Sequence, residues 1–80
     1  MNLLHVRTAH CVSDFQLWVE FDDGASGIVD LKGKLTGSVF EPLKDPAYFA
    51  RVSVDPELAT VVWPNGADLA VEFLRDNLKQ

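Results

Sequence analysis

Apolar and polar positions alternate with period two through the first part of the chain, the spacing of half-buried strands. From Leu3 to Val12 one face carries Leu4, Val6, Thr8, His10 and Val12, and the other carries Leu3, His5, Arg7, Ala9 and Cys11. Phe15, Leu17, Val19 and Phe21 then share a face, with Gln16, Trp18 and Glu20 opposite. A three-residue loop at Asp22-Asp23-Gly24, with Gly24 left-handed, sets Phe21 against Ala25, Val19 against Gly27, Leu17 against Val29 and Phe15 against Leu31. That register gathers the apolar side chains on one side. It leaves Trp18 facing Ile28, and Glu20 facing Ser26, on the reverse. A one-residue slip would turn them out, so the pattern itself selects the loop length. A two-residue loop at Ser13-Asp14 pairs Val12 with Phe15, Val6 with Phe21, Arg7 with Glu20 and Ala9 with Trp18.

After Leu31 the pattern breaks. Lys32 to Ser38 reads as a loop, and Val39-Phe40-Glu41-Pro42-Leu43 is an apolar run interrupted by proline. Asp45-Pro46 is a helix start, with Asp45 as N-cap and Pro46 at the first helical position, for a short helix to about Arg51. Val52 to Val54 and Thr60 to Trp63 make a second hairpin around Asp55-Pro56-Glu57-Leu58. Asn65-Gly66 has two readings. Asn65 caps a continuous helix, or Asn-Gly makes a type I′ reversal, Ala67 to Leu69 pair with the Trp63 strand, and the helix starts near Ala70. Glycine inside a helix costs about 1 kcal/mol, which favours the reversal. In the last helix Ala70, Phe73, Leu74 and Leu78 form the apolar arc that covers the sheet. The expected class is α+β: a small curved antiparallel sheet, built from a three-stranded meander and a second short hairpin, with a short middle helix and a C-terminal amphipathic helix.

Eighty residues make one domain, 1–80, able to bury roughly 60% of its unfolded surface. The net charge is -5, and the seven Lys and Arg are spread singly along the sequence. A nucleic-acid backbone would meet net repulsion, so direct nucleic-acid contact is not expected. No apolar run reaches membrane-spanning length, and the N-terminus lacks a signal pattern, so no membrane association is expected. The single cysteine, Cys11, forbids an internal disulfide and agrees with a cytoplasmic setting.

Few residues suggest chemistry. His5 and His10, five apart on one strand, point to opposite faces and share no metal ion. Cys11 has no base placed for it and reads as an inert thiol. Asp22, Asp23, Asp30, Glu41, Asp45, Asp55, Glu57 and Asp68 fall mostly at turns and caps, where a carboxylate bonds backbone amides. Phosphate-loop, nucleophile-elbow and paired-cysteine motifs are absent, so neither enzyme activity nor a cofactor is expected. Trp63 reads as core. Trp18, with Ile28 and Ala9 on the weaker sheet face, reads equally as core or as a contact surface for a protein partner or a second copy.

The segments Phe21-Asp22-Asp23-Gly24, Asp30-Leu31, Val39-Phe40-Glu41-Pro42-Leu43 and Trp63-Pro64-Asn65-Gly66-Ala67-Asp68-Leu69 follow one another at compact spacing. Together, with Gly37-Ser38 leading into the third of them, they resemble the bacterial domain of unknown function family 2442, over nearly the whole chain. Relatives often carry proline where this chain has Val71. The resemblance implies a small α+β fold and a regulatory or interaction role. Some relatives are fused to a helix-turn-helix segment, and others are encoded beside another small protein in the manner of toxin–antitoxin pairs. Phe40, Glu41, Trp63, Asn65, Gly66 and Asp68 are its candidate motif residues, with structural roles favoured.

The expected function is therefore a small protein-interaction or regulatory module, such as an antitoxin-like partner of another small protein. Its acidic charge suits a basic partner. One alternative is a small hydrolase or ligand-binding protein using carboxylates near Glu41 and Asp68. Another is a component of a nucleic-acid-linked regulator without DNA contact of its own.

Overall fold

The structure, a computed structural model, describes residues 4–79. Leu3, the first residue of the expected N-terminal strand, lies outside them. Four antiparallel strands form the main sheet in the order β1 (Val6–Ser13), β2 (Gln16–Phe21), β3 (Ser26–Asp30) and β6 (Leu78–Lys79). The β2–β3 register is the one the apolar pattern selects, with Leu17 opposite Val29, Trp18 opposite Ile28 and Val19 opposite Gly27. The Asp22-Asp23-Gly24 loop closes with the Gly24 amide donating to the Phe21 carbonyl, and Gly24 has φ 90°.

The β1–β2 register differs from the expected one. Val6 faces Phe21, but Thr8 faces Glu20, Ala9 faces Val19, His10 faces Trp18 and Cys11 faces Leu17. Arg7 and Val12 are each an extra residue on β1, inserted as bulges. A bulge moves every later side chain to the other face until a second bulge restores the order. Ala9 and Cys11 therefore pack toward the core, while Thr8 and His10 turn outward. The turn lies at Asp14-Phe15, with Phe15 itself left-handed at φ 61° and Ser13 paired with Gln16.

The core face of the sheet presents Leu17, Val19, Phe21 and Val29, with Leu31 just beyond β3; all are fully buried. The whole second half of the chain covers it, not the C-terminal helix alone. Leu35 and Leu43 come from the loop and the 3-10 turn Ser38–Lys44. Phe49 comes from α1 (Pro46–Phe49), where the Asp45 carboxylate accepts from the Ala47 amide and Pro46 sits in the first turn, as the sequence predicts. Val61 comes from the hairpin of β4 (Ser53–Asp55) and β5 (Thr60–Val62), and Trp63 follows it. The Trp63 indole sits 5.7 Å from the Phe49 ring and donates Nε1–H to the Phe49 carbonyl at 2.9 Å. A large aromatic is thereby buried without an orphaned donor.

Beyond Trp63 the chain reverses, as the favoured reading of Asn65-Gly66 requires, but through another turn. Type I′ needs positive φ at both central residues. Among the described residues only Phe15, Ala59 and five glycines have positive φ, and Asn65 is not one of them. The loop is Pro64-Asn65-Gly66, with Gly66 at φ 89°. The Gly66 amide donates to the Trp63 carbonyl and the Trp63 amide to the Ala67 carbonyl. Phe21, Gly24 and Ala25 make the same two bonds in the first loop. Asp68 then bridges back to Val62.

Helix α2 runs only from Val71 to Asp76 and buries Val71 and Leu74. Its first residue, Val71, occupies the helical position that proline tolerates best. The expected helix through Leu78 does not form. Asn77 ends it, with its side-chain amide donating to the Phe73 carbonyl at 2.8 Å. Leu78 and Lys79 then pair with Val29 and Ile28. The bare Gly27 backbone admits this strand, because a Cβ built there would overlap the Lys79 carbonyl.

Candidate functional site

Among the described residues the cover lies on one side of the sheet, and the reverse face is open. Trp18 and Ile28 stand there side by side, half-buried and apart from the core cluster. Ala9, expected beside them, is on the core side because of the Arg7 bulge. His10 takes its place, its ring stacked on Trp18 at 5.2 Å between centroids and 26° between planes. The face is thus a histidine–tryptophan–isoleucine strip. Strand pattern alone put Trp18 and Ile28 on it; the bulge that substitutes His10 for Ala9 has no sequence signal.

The motif residues serve the frame. The Asn65 side-chain amide donates to the Val39 carbonyl at 2.8 Å, and its oxygen accepts from the Ala67 amide. This joins the two most specific motif segments to each other. Phe40 packs partly buried against the core, and Glu41 makes an exposed ion pair with Lys44 at 2.8 Å. Asp68 is exposed. Neither Glu41 nor Asp68 lines the groove floored by Phe15, Leu31 and Leu35.

Several carboxylates have local partners. The Asp22 carboxylate accepts the His5 backbone amide at 3.1 Å and bonds its imidazole at 2.9 Å, and the amide above all holds its pKa below 3.8. Asp30 is lowered likewise, first by the Lys32 amide. Asp23 and Asp55 accept turn amides, the backbone role their positions suggest. Among the described residues no three of His, Cys, Asp and Glu come together to hold a metal ion. No helix there is long and apolar enough to cross a membrane.

One groove remains. Phe15, Leu31 and Leu35 form its apolar floor, and Lys32, Gly33, Thr36 and Lys44 line it with them, around a space of about 270 Å³. Lys32, Lys34 and Lys44 are three of the seven cationic side chains, and folding brings two of them to one groove from segments twelve residues apart.

A search of curated proteins finds no match. The fold matches a crystal structure from Nitrosomonas europaea, of a protein described as a putative DNA binding protein. The TM-score is 0.72 with 26% identity, covering 98% of this chain and 50% of that one. This chain therefore spans half the length of that relative. The likeness overturns the expectation that direct nucleic-acid contact is foreign to this kind of chain. That expectation used net charge, a sum over all residues, whereas nucleic acid responds to local charge and the fold redistributes the lysines. Residues 6–80 match the family described as "Protein of unknown function (DUF2442)", and the chain belongs to that family.

Proposed function

We propose that this chain is a non-enzymatic regulatory domain in nucleic-acid-linked control, and that it docks a protein partner on the open face of its sheet. The observation that carries this reading is the strip of His10, Trp18 and Ile28, exposed in part on a face that no element among the described residues covers. Aromatic side chains in such positions are the usual anchors of protein interfaces. The net charge of -5 favours a basic partner, and a DNA-binding unit is basic. The putative DNA binding protein of the same fold has as much chain again beyond the matched half, room for such a unit within one polypeptide. A separately encoded partner, as in antitoxin-like pairs, would use the same face.

Trp18→Ser tests this reading. The variant is expected to unfold within about 1 kcal/mol of the parent, as a surface substitution does. It should also lose the small basic protein that the parent captures from its native cell, identified by mass spectrometry. A loss of several kcal/mol, with a parent that sediments as a monomer and captures nothing, would make Trp18 an interior residue and end the proposal.

A further inference from the structure

The groove at the β1–β2 turn lies on the other side of the sheet from the Trp18 strip and combines features the proposed docking face does not use. Its floor is apolar: Leu31 and Leu35 are buried, and Phe15 is half-buried with its ring edge-on to Phe49 at 5.5 Å. Its lining includes two lysines and a threonine, Lys32, Lys44 and Thr36. Gly33, at φ 77° with nothing within 4 Å of where a Cβ would stand, leaves the mouth clear. Lys32 makes no ion pair among the described residues, and Lys44 is held by Glu41 alone in an exposed pair, which a phosphate can displace at little cost.

A ligand for this groove needs a flat apolar body for the floor and a compact anion for the lysines. The space is slightly under the usual lower bound of about 300 Å³ for small-molecule sites, which limits the occupant to one small unit. We propose that the groove binds a single nucleotide unit, its base against Phe15 and its phosphate between Lys32 and Lys44. An exposed aromatic flanked by cations is how sequence-tolerant single-strand sites hold each base. A base paired and stacked inside a duplex cannot reach the floor, so the ligand is a free nucleotide or an unpaired nucleotide of a strand. This assignment does not depend on the docking face. Its test uses different residues, so either proposal can fail alone.

The test is an amide chemical-shift titration of the whole chain with thymidine monophosphate, a short oligothymidine, inorganic phosphate and a blunt duplex. Thymidine monophosphate and the oligothymidine are expected to shift the Gly33 and Thr36 amides and to leave Trp18 unmoved. Lys32→Gln with Lys44→Gln should weaken binding about tenfold or more with the amide spectrum otherwise retained. Phe15→Leu, in case the double charge change perturbs the loop, should weaken the nucleotide while leaving the response to phosphate as it was. Tighter binding of the oligothymidine identifies a nucleic-acid strand as the source, and equal affinity identifies the free nucleotide. The inference is overturned if Gly33 and Thr36 do not respond, if phosphate alone matches the nucleotide, if the duplex binds best, or if the lysine changes have no effect.

Discussion

Gly27→Ala should detach the C-terminal strand. Gly27 lies opposite Val19, next to the two β3 residues that pair with β6, and a Cβ there would overlap the Lys79 carbonyl. The obstacle is backbone, so no rotamer change relieves it; β6 must move. What is lost is bounded by what β6 contributes. Two residue pairs join it to β3. Each backbone hydrogen bond they make stabilises by about 0.5–1.5 kcal/mol net. Leu78 is half-buried, so its detachment forfeits part of the roughly 1.5–3 kcal/mol of a fully buried leucine. Alanine returns about 0.4–1 kcal/mol by restricting the unfolded chain. The expected net loss is about 2–3 kcal/mol, a large share of the stability of a domain this size, and corresponds to a fall in Tm on the order of 10–20 °C. Urea unfolding followed by tryptophan fluorescence measures it. A chain ending at Asn77 supplies the control: there the same substitution should cost almost nothing, because nothing is left to collide. A neutral Gly27→Ala in the full chain, or an equal cost in both backgrounds, would refute the β3–β6 pairing.

Gly66→Ala should cost about 1 kcal/mol in urea unfolding: the space is open, but an L residue at φ 89° is strained. Trp63→Phe should cost about 2–4 kcal/mol, since it removes the donor to the Phe49 carbonyl and leaves a void beside that ring; a loss under 1 kcal/mol would contradict the packing. Asp22→Asn should flatten the acid limb of the stability curve. Asp22 has its pKa lowered by folding, so its contribution is present above about pH 4 and is lost as pH falls through the lower folded value; urea midpoints compared at about pH 7 and pH 3 should differ less in the variant.

The β2–β3 hairpin, its register and the side each of its residues faces were legible in the amino-acid pattern, because a period-two pattern with one strongly apolar face tolerates no slip. The sequence by itself determined the cap at Asp45-Pro46 and the reversal at Asn65-Gly66 for a similar reason: proline, asparagine and glycine carry their conformational limits within a residue or two. It also marked Trp63 as core and Trp18 as ambiguous. What the tertiary structure alone decided rests on contacts distant in the chain. The bulges at Arg7 and Val12 have no local signature, yet they exchange Ala9 for His10 on the open face. Leu78 fits a helical arc by spacing, but a free edge of β3 and a bare Gly27 backbone draw it into the sheet. The lysines at 32 and 44 read as scattered because sequence distance conceals the groove they share. Periodicity and turn chemistry are local and can be read along a line; the face left uncovered and the charges brought together exist only once the chain has closed on itself.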